Sequence, residues 1–207
     1  MDLRWIGTRA ACGLLLATLL TASAGGSDGE PTPALEPAEA ALAELRAEPA
    51  AFVGRTVRFT LQLDRELDAW QPFLTRFGPG DFAAYRAWPD EAFLWERKAF
   101  DDTTSRVFAR RGTAPELVLG GGRSYDRFAV TAVVRDVFLG EPWLEVTDAR
   151  RLTEAVGEGA ILHASRGLEL FAQGNRELAR DQLERARAGM LPEHARAELD
   201  RLIERCD

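Results

Sequence analysis

The chain has 207 residues and a formal net charge of −7, from 33 acidic and 26 basic side chains. This acidic balance argues against the nonspecific binding of nucleic acid or anionic membranes, which depends on clustered positive charge. We therefore expect a protein partner or a small ligand, and no nucleic acid.

The first 24 residues have the pattern of a secretory signal peptide. Arg4 and Arg9 form a basic start, residues 10–24 are uncharged, and Ala22-Ser23-Ala24 precedes the expected cleavage point. The uncharged run is shorter than the roughly 20 apolar residues that span a bilayer, although an uncleaved anchor is the alternative. We expect a periplasmic or secreted protein with no stable membrane insertion after cleavage.

Cleavage would change the cysteine content and the charge of the chain. The segment 1–24 contains Cys12, two arginines and one aspartate, so its removal gives a net charge of −8. Cys206 is then the only cysteine, and it is either a free thiol or half of an intermolecular disulfide. A homodimer linked through Cys206 is therefore one expectation.

The next residues predict a linker and a short helix. Residues 25–37 are rich in glycine, proline and acidic side chains, which is typical of a flexible linker. Residues 38–46 are rich in alanine, leucine and glutamate, and Pro37 suits the first turn of a helix.

After Pro49 the apolar residues alternate, which predicts β-strands. The clearest strand covers 57–63, with Gly54 in a turn before it. Residues 139–142 predict a hairpin turn and Gly120–Gly122 a loose hairpin loop. The other predicted strands cover 105–110, 116–119, 127–136 and 143–147.

Two segments of this region resemble a small OB-type barrel of exported bacterial proteins. The first is Pro49–Val57 (PAAFVGRTV), and the second is the predicted hairpin Tyr125–Val146. The resemblance implies an OB-like antiparallel β-domain over 38–152, including the short N-terminal helix. Residues 64–103 are longer than an ordinary strand connection, so we expect an aromatic-rich insertion there.

The C-terminal region has helical periodicity. Helices are predicted over 161–172, 177–188 and from about 192 to 206, with Gly174 and Asn175 ending the first. Because strands come first and helices last, the predicted fold class is α+β: a small OB-like antiparallel barrel followed by a helical hairpin.

The helical tail, 158–207, resembles a single tetratricopeptide (TPR) repeat. The residues that carry the resemblance are Gly167, Leu170, Gly174, Asn175, Ala179, Leu183, Ala186 and Pro192. A single repeat of this kind cannot bury its apolar face without a neighbour. We expect that face to pack on the β-domain rather than on another chain. It comprises Leu168, Leu170, Phe171, Leu183, Leu199, Leu202 and Ile203.

Residues 64–103 interleave aromatic side chains with arginines. On the strands of an OB barrel, such residues can stack against bases or sugars. The alternative, which we favour, is that the rings form the core of the insertion. The candidate ligand-binding residues are Tyr85, Arg86, Trp88, Trp95 and Arg97.

No catalytic residue, metal site or cofactor is predicted. His163 and His194 have no cysteine or carboxylate at ligand spacing, and no serine lies in a G-x-S-x-G motif. We therefore favour an exported, non-enzymatic binding or protein-interaction module of the cell envelope. One alternative is a structural component of an envelope assembly. Another is an oligosaccharide hydrolase that uses Asp81, Asp90, Glu91, Asp101 or Asp102.

Overall fold

The computed structural model describes residues 36–71 and 76–207. The predicted signal peptide and most of the predicted linker lie outside these residues. Within the described part, no helix is long and apolar enough to cross a membrane.

Five strands close into a barrel. Strand β1 (Ala38–Glu39) adds only a short parallel pairing to β2. The barrel strands follow in the order β2-β3-β4-β6-β5, and β5 pairs with β2 to close it. Their bounds are Thr56–Glu66 (β2), Phe82–Pro89 (β3), Thr104–Arg110 (β4), Arg127–Phe138 (β5) and Glu141–Arg151 (β6).

The barrel is joined to several helices, so the predicted α+β class with a small OB-like barrel is confirmed. One detail differs, because β4 and β6 pair in parallel in an otherwise antiparallel barrel. A 3₁₀ turn covers Pro49–Phe52. The helices are Leu42–Ala47 (α1), Arg97–Asp101 (α2), Ala114–Gly120 (α3), Glu158–Ala172 (α4), Arg176–Arg187 (α5) and Glu193–Glu204 (α6).

The alternating residues of β2 and β5 fill the barrel, as their period predicts. All of them are buried in one cluster: Val57, Phe59, Leu61, Leu63, Phe128, Val130, Ala132 and Val134. The predicted hairpin between β5 and β6 is also present. Its turn residues, Leu139 and Gly140, both have positive φ, at 53° and 79°, as a two-residue type I′ turn requires.

The predicted strand over 116–119 is wrong, because these residues belong to α3. Pro115 lies in the first turn, where its missing N–H costs nothing, and Glu116 favours the same end of the helix. The predicted glycine hairpin loop is wrong for the same reason, since Gly120 ends α3. Gly122 instead permits close packing: a Cβ there would lie 2.7 Å from Leu63 and Phe128.

The interval 64–103 is not an irregular insertion, because it contains the barrel strand β3. Ala83, Tyr85 and Ala87 face the barrel core, whereas Ala84 and Trp88 belong to two other buried clusters. A strand buried on both faces shows no alternation, so its sequence gave no strand signal. The predicted helix over 38–46 is also shorter than expected and begins at Leu42.

The three predicted C-terminal helices are confirmed as α4, α5 and α6. Gly174, with φ of +81°, ends α4. The expected apolar face of these helices packs within this chain, in one cluster with Trp88, Leu94 and Trp95. The tail therefore rests on the segment that follows β3.

We predict that Gly167→Ala destabilises the α4–α5 hairpin. A Cβ at Gly167 would lie 2.7 Å from Cγ of Leu183 and 3.2 Å from the carbonyl oxygen of Ala179. Overpacking of this kind costs about 1–3 kcal/mol of unfolding free energy. The measurement is urea denaturation.

The matched control is Gly159→Ala in the same helix, where a Cβ would meet nothing within 4 Å. It should be neutral or stabilise by up to about 1 kcal/mol, because alanine favours helix over glycine. Equal effects of the two substitutions would contradict the described packing.

Candidate functional site

The outer face of β3 and β4 is filled by aromatic side chains of the same chain. Phe77 stacks on Phe108 with ring centres 4.4 Å apart and planes inclined by 19°. Phe82 and Trp143 complete this buried cluster. Nε1 of Trp70 donates to the carbonyl oxygen of Phe77 at 2.8 Å, and the Trp70 side chain packs against the same cluster. The strand face that an OB barrel uses for ligands is therefore covered here.

Tyr85, the first predicted ligand-binding residue, lies inside the barrel. Its hydroxyl donates to the carbonyl oxygen of Glu116 at 3.2 Å. Burial, together with the charges of Glu66 and Glu116, raises the pKa of Tyr85 well above its usual value. Arg86 lies on the other side of β3, half-buried, where it forms an ion pair with Asp64. The structure does not bring these two residues to a common site.

Trp88 is also buried, and it contacts two residues that line a surface cleft. Its Nε1 donates to the carbonyl oxygen of Phe100 at 2.8 Å. Its ring stacks on Tyr125, with ring centres 5.7 Å apart and planes inclined by 13°. Phe100 and Tyr125 both line the cleft, so Trp88 positions two of its walls.

The cleft has a volume of about 790 Å³ and lies between α2 and α4. Two predicted ligand-binding residues, Trp95 and Arg97, line it. Oγ of Ser165 on α4 donates to the carbonyl oxygen of Trp95 at 3.1 Å, which holds the two sides together at one point. The full lining is Leu94, Trp95, Glu96, Arg97, Lys98, Phe100, Tyr125, Glu158, Ile161, Leu162, Ser165, Leu168 and Glu169.

The apolar wall on α4 was missed by sequence reasoning. Leu162 is 64% exposed, and Phe100 on the opposite side is 37% exposed. Large apolar side chains that share a concave, open surface are typical of a binding site. The available signal was the helical spacing of residues 158, 161, 162, 165, 168 and 169, which forms a second stripe on α4.

Both signs of charge surround this apolar surface. Arg97 pairs with Asp101 on its own helix at 2.7 Å, and Glu169 pairs with Arg166 at 2.9 Å. Partial burial, together with the charges of Glu158 and Asp64, raises the pKa of Tyr125 above its usual value. The cleft therefore offers apolar contact together with hydrogen-bonding and charged groups at its rim.

The carboxylates considered for hydrolysis are separated by their arginine partners. Asp101 pairs with Arg97, and Asp102 pairs with Arg46 at 2.8 Å. Asp90 pairs with Arg127 of β5. These three carboxylates thus bind arginines on different elements instead of forming an acid–base pair. Within the described residues, no group of three or more His, Cys, Asp or Glu side chains could hold a metal ion.

The ion pair of Asp90 and Arg127 fixes the segment that carries Trp95. Arg127 donates to both carboxylate oxygens of Asp90, at 2.6 and 2.7 Å, and the side chains are only 11% and 14% exposed. Nε2 of Gln62 donates to the carbonyl oxygens of Pro89, Asp90 and Ala92 at 3.0–3.2 Å. We call these residues the Asp90 junction; they set the direction in which the chain leaves β3.

Comparisons with known proteins do not assign the chain to a family. No protein-family model and no curated protein matches it. Among solved structures it is similar to a crystal structure assigned as an aspartyl-tRNA synthetase from Leishmania major Friedlin, with 15% identity and a TM-score of 0.41. The match covers 74% of this chain and 32% of that one, so this chain spans about a third of that protein. A likeness this distant carries no functional argument.

We predict that Asp90→Asn destabilises the protein by about 2–4 kcal/mol. The substitution removes the bidentate carboxylate from a nearly buried guanidinium and leaves it only the longer contact with Glu154, at 3.7 Å. Loss of one partner of such a pair is costly. Chemical denaturation measures the change in unfolding free energy.

Asp101→Asn is the matched control, because the pair of Asp101 with Arg97 is largely exposed. Surface pairs contribute less than about 1 kcal/mol. If both substitutions lower the stability by the same small amount, the Asp90 junction does not have the role described.

Proposed function

We propose that this protein is an exported, non-enzymatic binding module of the cell envelope, and that the cleft between α2 and α4 is its binding site. The observation that carries the proposal is the joint exposure of Leu162 and Phe100 in one concave surface. Exposure of such apolar side chains to water is energetically unfavourable, and a ligand that covers them removes this unfavourable free energy. The cleft volume also falls within the range of about 300–1,000 Å³ that is typical of ligand sites.

Three further features support the proposal. Ala179 and Ala186 are buried and Gly167 lies against Leu183, which agrees with the small-large-small pattern on which the predicted TPR resemblance rests. The signal-peptide pattern of 1–24 supports export. The net charge of −7 and the covered β3–β4 face argue against nucleic acid as the ligand.

Neither alternative function has an observation of its own in its favour. The carboxylates of the proposed hydrolase are largely engaged by arginines, as described above. A structural component of an envelope assembly would use the same cleft to contact its neighbour, so it is a special case of the proposed module.

The expected homodimer through Cys206 stays a prediction. Cys206 is buried, and its thiol donates to the carbonyl oxygen of Leu202 at 3.4 Å. Burial raises the pKa of the thiol, which lowers its reactivity at neutral pH. A disulfide between two chains would require the end of α6 to open.

The proposal predicts saturable binding of the dye 1-anilinonaphthalene-8-sulfonate in the cleft, with an increase in its fluorescence. The dye is apolar and anionic, so it suits a surface rimmed by Arg97 and Lys98. Leu162→Gln should weaken binding about tenfold, because it removes the main exposed apolar contact.

Leu178→Gln is the matched control, since Leu178 is a 50% exposed leucine on α5 that does not line the cleft. It should leave dye affinity unchanged. Equal affinity of both variants and wild type, or no saturable binding, would overturn the proposal. Unchanged denaturation curves for both variants confirm that folding is not the cause.

A further inference from the structure

A second cleft adjoins the first and shares part of its wall. It has a volume of about 600 Å³ and lies beside the N-terminal end of α4. Tyr125 and Glu158 line both clefts. The volume of the second cleft also lies within the range of about 300–1,000 Å³ that is typical of ligand sites. A ligand in the first cleft can therefore extend past Tyr125 into the second.

Tyr125 has a backbone conformation that tyrosine rarely adopts. The turn that contains it is closed by the N–H of Asp126, which donates to the carbonyl oxygen of Arg123 at 3.1 Å. Tyr125 is the third residue of this turn and has a φ of 72°, which favours glycine. Its N–H donates to Leu63 at 2.7 Å, and its carbonyl oxygen accepts from Val156 at 3.2 Å. Residues held in this way are concentrated at functional sites.

Packing explains the ring of Tyr125 but not its hydroxyl. One face of the ring stacks on Trp88, with ring centres 5.7 Å apart. The residue is only partly buried and lines both clefts, so the rest of its surface is open to a ligand. Within the described residues the hydroxyl has no hydrogen-bond partner, and a phenylalanine would stack on Trp88 equally well. The hydroxyl is therefore free to bond a ligand.

Free hydrogen-bonding groups of both kinds surround this ring in the second cleft. In the described part of the chain, the side chains of Arg123 and Glu158 form no ion pair, and the hydroxyl of Thr153 has no partner. A guanidinium only donates, a carboxylate only accepts, and a hydroxyl does both. Arg151 pairs with Asp126 at 2.7 Å in the same cleft, so the charges of the lining cancel. This lining suits a neutral ligand with many hydroxyl groups.

We propose that the two clefts form one site for an oligosaccharide of N-acetylated sugars, and that the sugar chain passes over Tyr125. This inference rests on the proposed function and names the class of its ligand. A sugar ring has an apolar face that can lie on an aromatic ring, and its hydroxyls both donate and accept hydrogen bonds. Its N-acetyl methyl groups suit the exposed Leu162 and Phe100 of the first cleft.

The test is a calorimetric titration of the full chain with two probes, the chitin-type tetramer of N-acetylglucosamine and the corresponding dimer. Both probes carry the same chemical groups and no charge, so they differ only in length. If the two clefts form one site, the second half of the tetramer binds without a further loss of translational freedom. The tetramer should therefore bind at least tenfold more tightly than the dimer.

Substitutions in the second cleft separate a ligand contact from a structural role. Tyr125→Phe keeps the ring and removes only the hydroxyl, so it should weaken the tetramer about fivefold, as loss of one hydrogen bond does. Arg123→Ala removes a charged donor and should weaken it about tenfold. Denaturation curves should be the same for wild type and both variants.

The matched control is Arg150→Ala. Arg150 is exposed like Arg123 and forms no ion pair within the described residues, but it lines neither cleft. Its substitution should leave the affinity for the tetramer unchanged. An equal loss of affinity in Arg150→Ala and Arg123→Ala would place the sugar outside the second cleft and contradict the inference.

The inference is also overturned if the tetramer shows no saturable binding, if it binds no more tightly than the dimer, or if Tyr125→Phe leaves its affinity unchanged. If the dye still binds in that case, and Leu162→Gln still weakens it, the first cleft takes another ligand and the proposed function stands. If the dye does not bind either, the proposed function fails as well.

Discussion

The arrangement of the barrel and the helical tail depends on the bidentate ion pair between Asp90 and Arg127. It joins the residue that follows β3 to β5, across the intervening strand β2. Gln62 of β2 completes the junction by donating to the carbonyl oxygens of Pro89, Asp90 and Ala92 in the turn. His194 of α6 donates from Nε2 to the carbonyl oxygen of Asp90 at 3.0 Å, which extends the junction to the helical tail. Because Gln62, Asp90 and Arg127 are nearly buried, the turn has one direction, and it carries Trp95 to α4.

The cleft lies outside the barrel, at the margin of a buried cluster. The outer surface of β3 is divided between two buried clusters, one around Phe108 and the other around Trp88. The first covers the strand face on which OB barrels bind ligands. The second joins the barrel to α4 and leaves a cleft at its margin, between Phe100 and Leu162. The cleft is therefore lined by residues of the β3–β4 connection, of the barrel domain and of the helical tail.

The predictable strands and helices are those that bury one face and expose the other to solvent. Strands β2 and β5 alternate, and α4 to α6 have helical periodicity with glycine at their ends. Strand β3 was missed because neither of its faces meets solvent, and 116–119 is too short for its period to separate strand from helix. For the site, counting aromatic residues and arginines selected Trp95 and Arg97, which line the cleft, and equally selected Tyr85, which is buried in the barrel. Leu162 was missed because α4 was assigned only one apolar face, whereas it has two.

The most direct test of the account is a methyl NMR titration of the leucine-labelled protein with 1-anilinonaphthalene-8-sulfonate. The account predicts that the methyl signals of Leu162 and Leu168, which line the cleft, change with dye concentration. The signals of Leu178 on α5 and of Leu139 in the β5–β6 turn should not change, although both side chains are exposed. Changes concentrated at Leu139 and at Leu67, which packs on the covered β3–β4 face, would place binding on the barrel and contradict it.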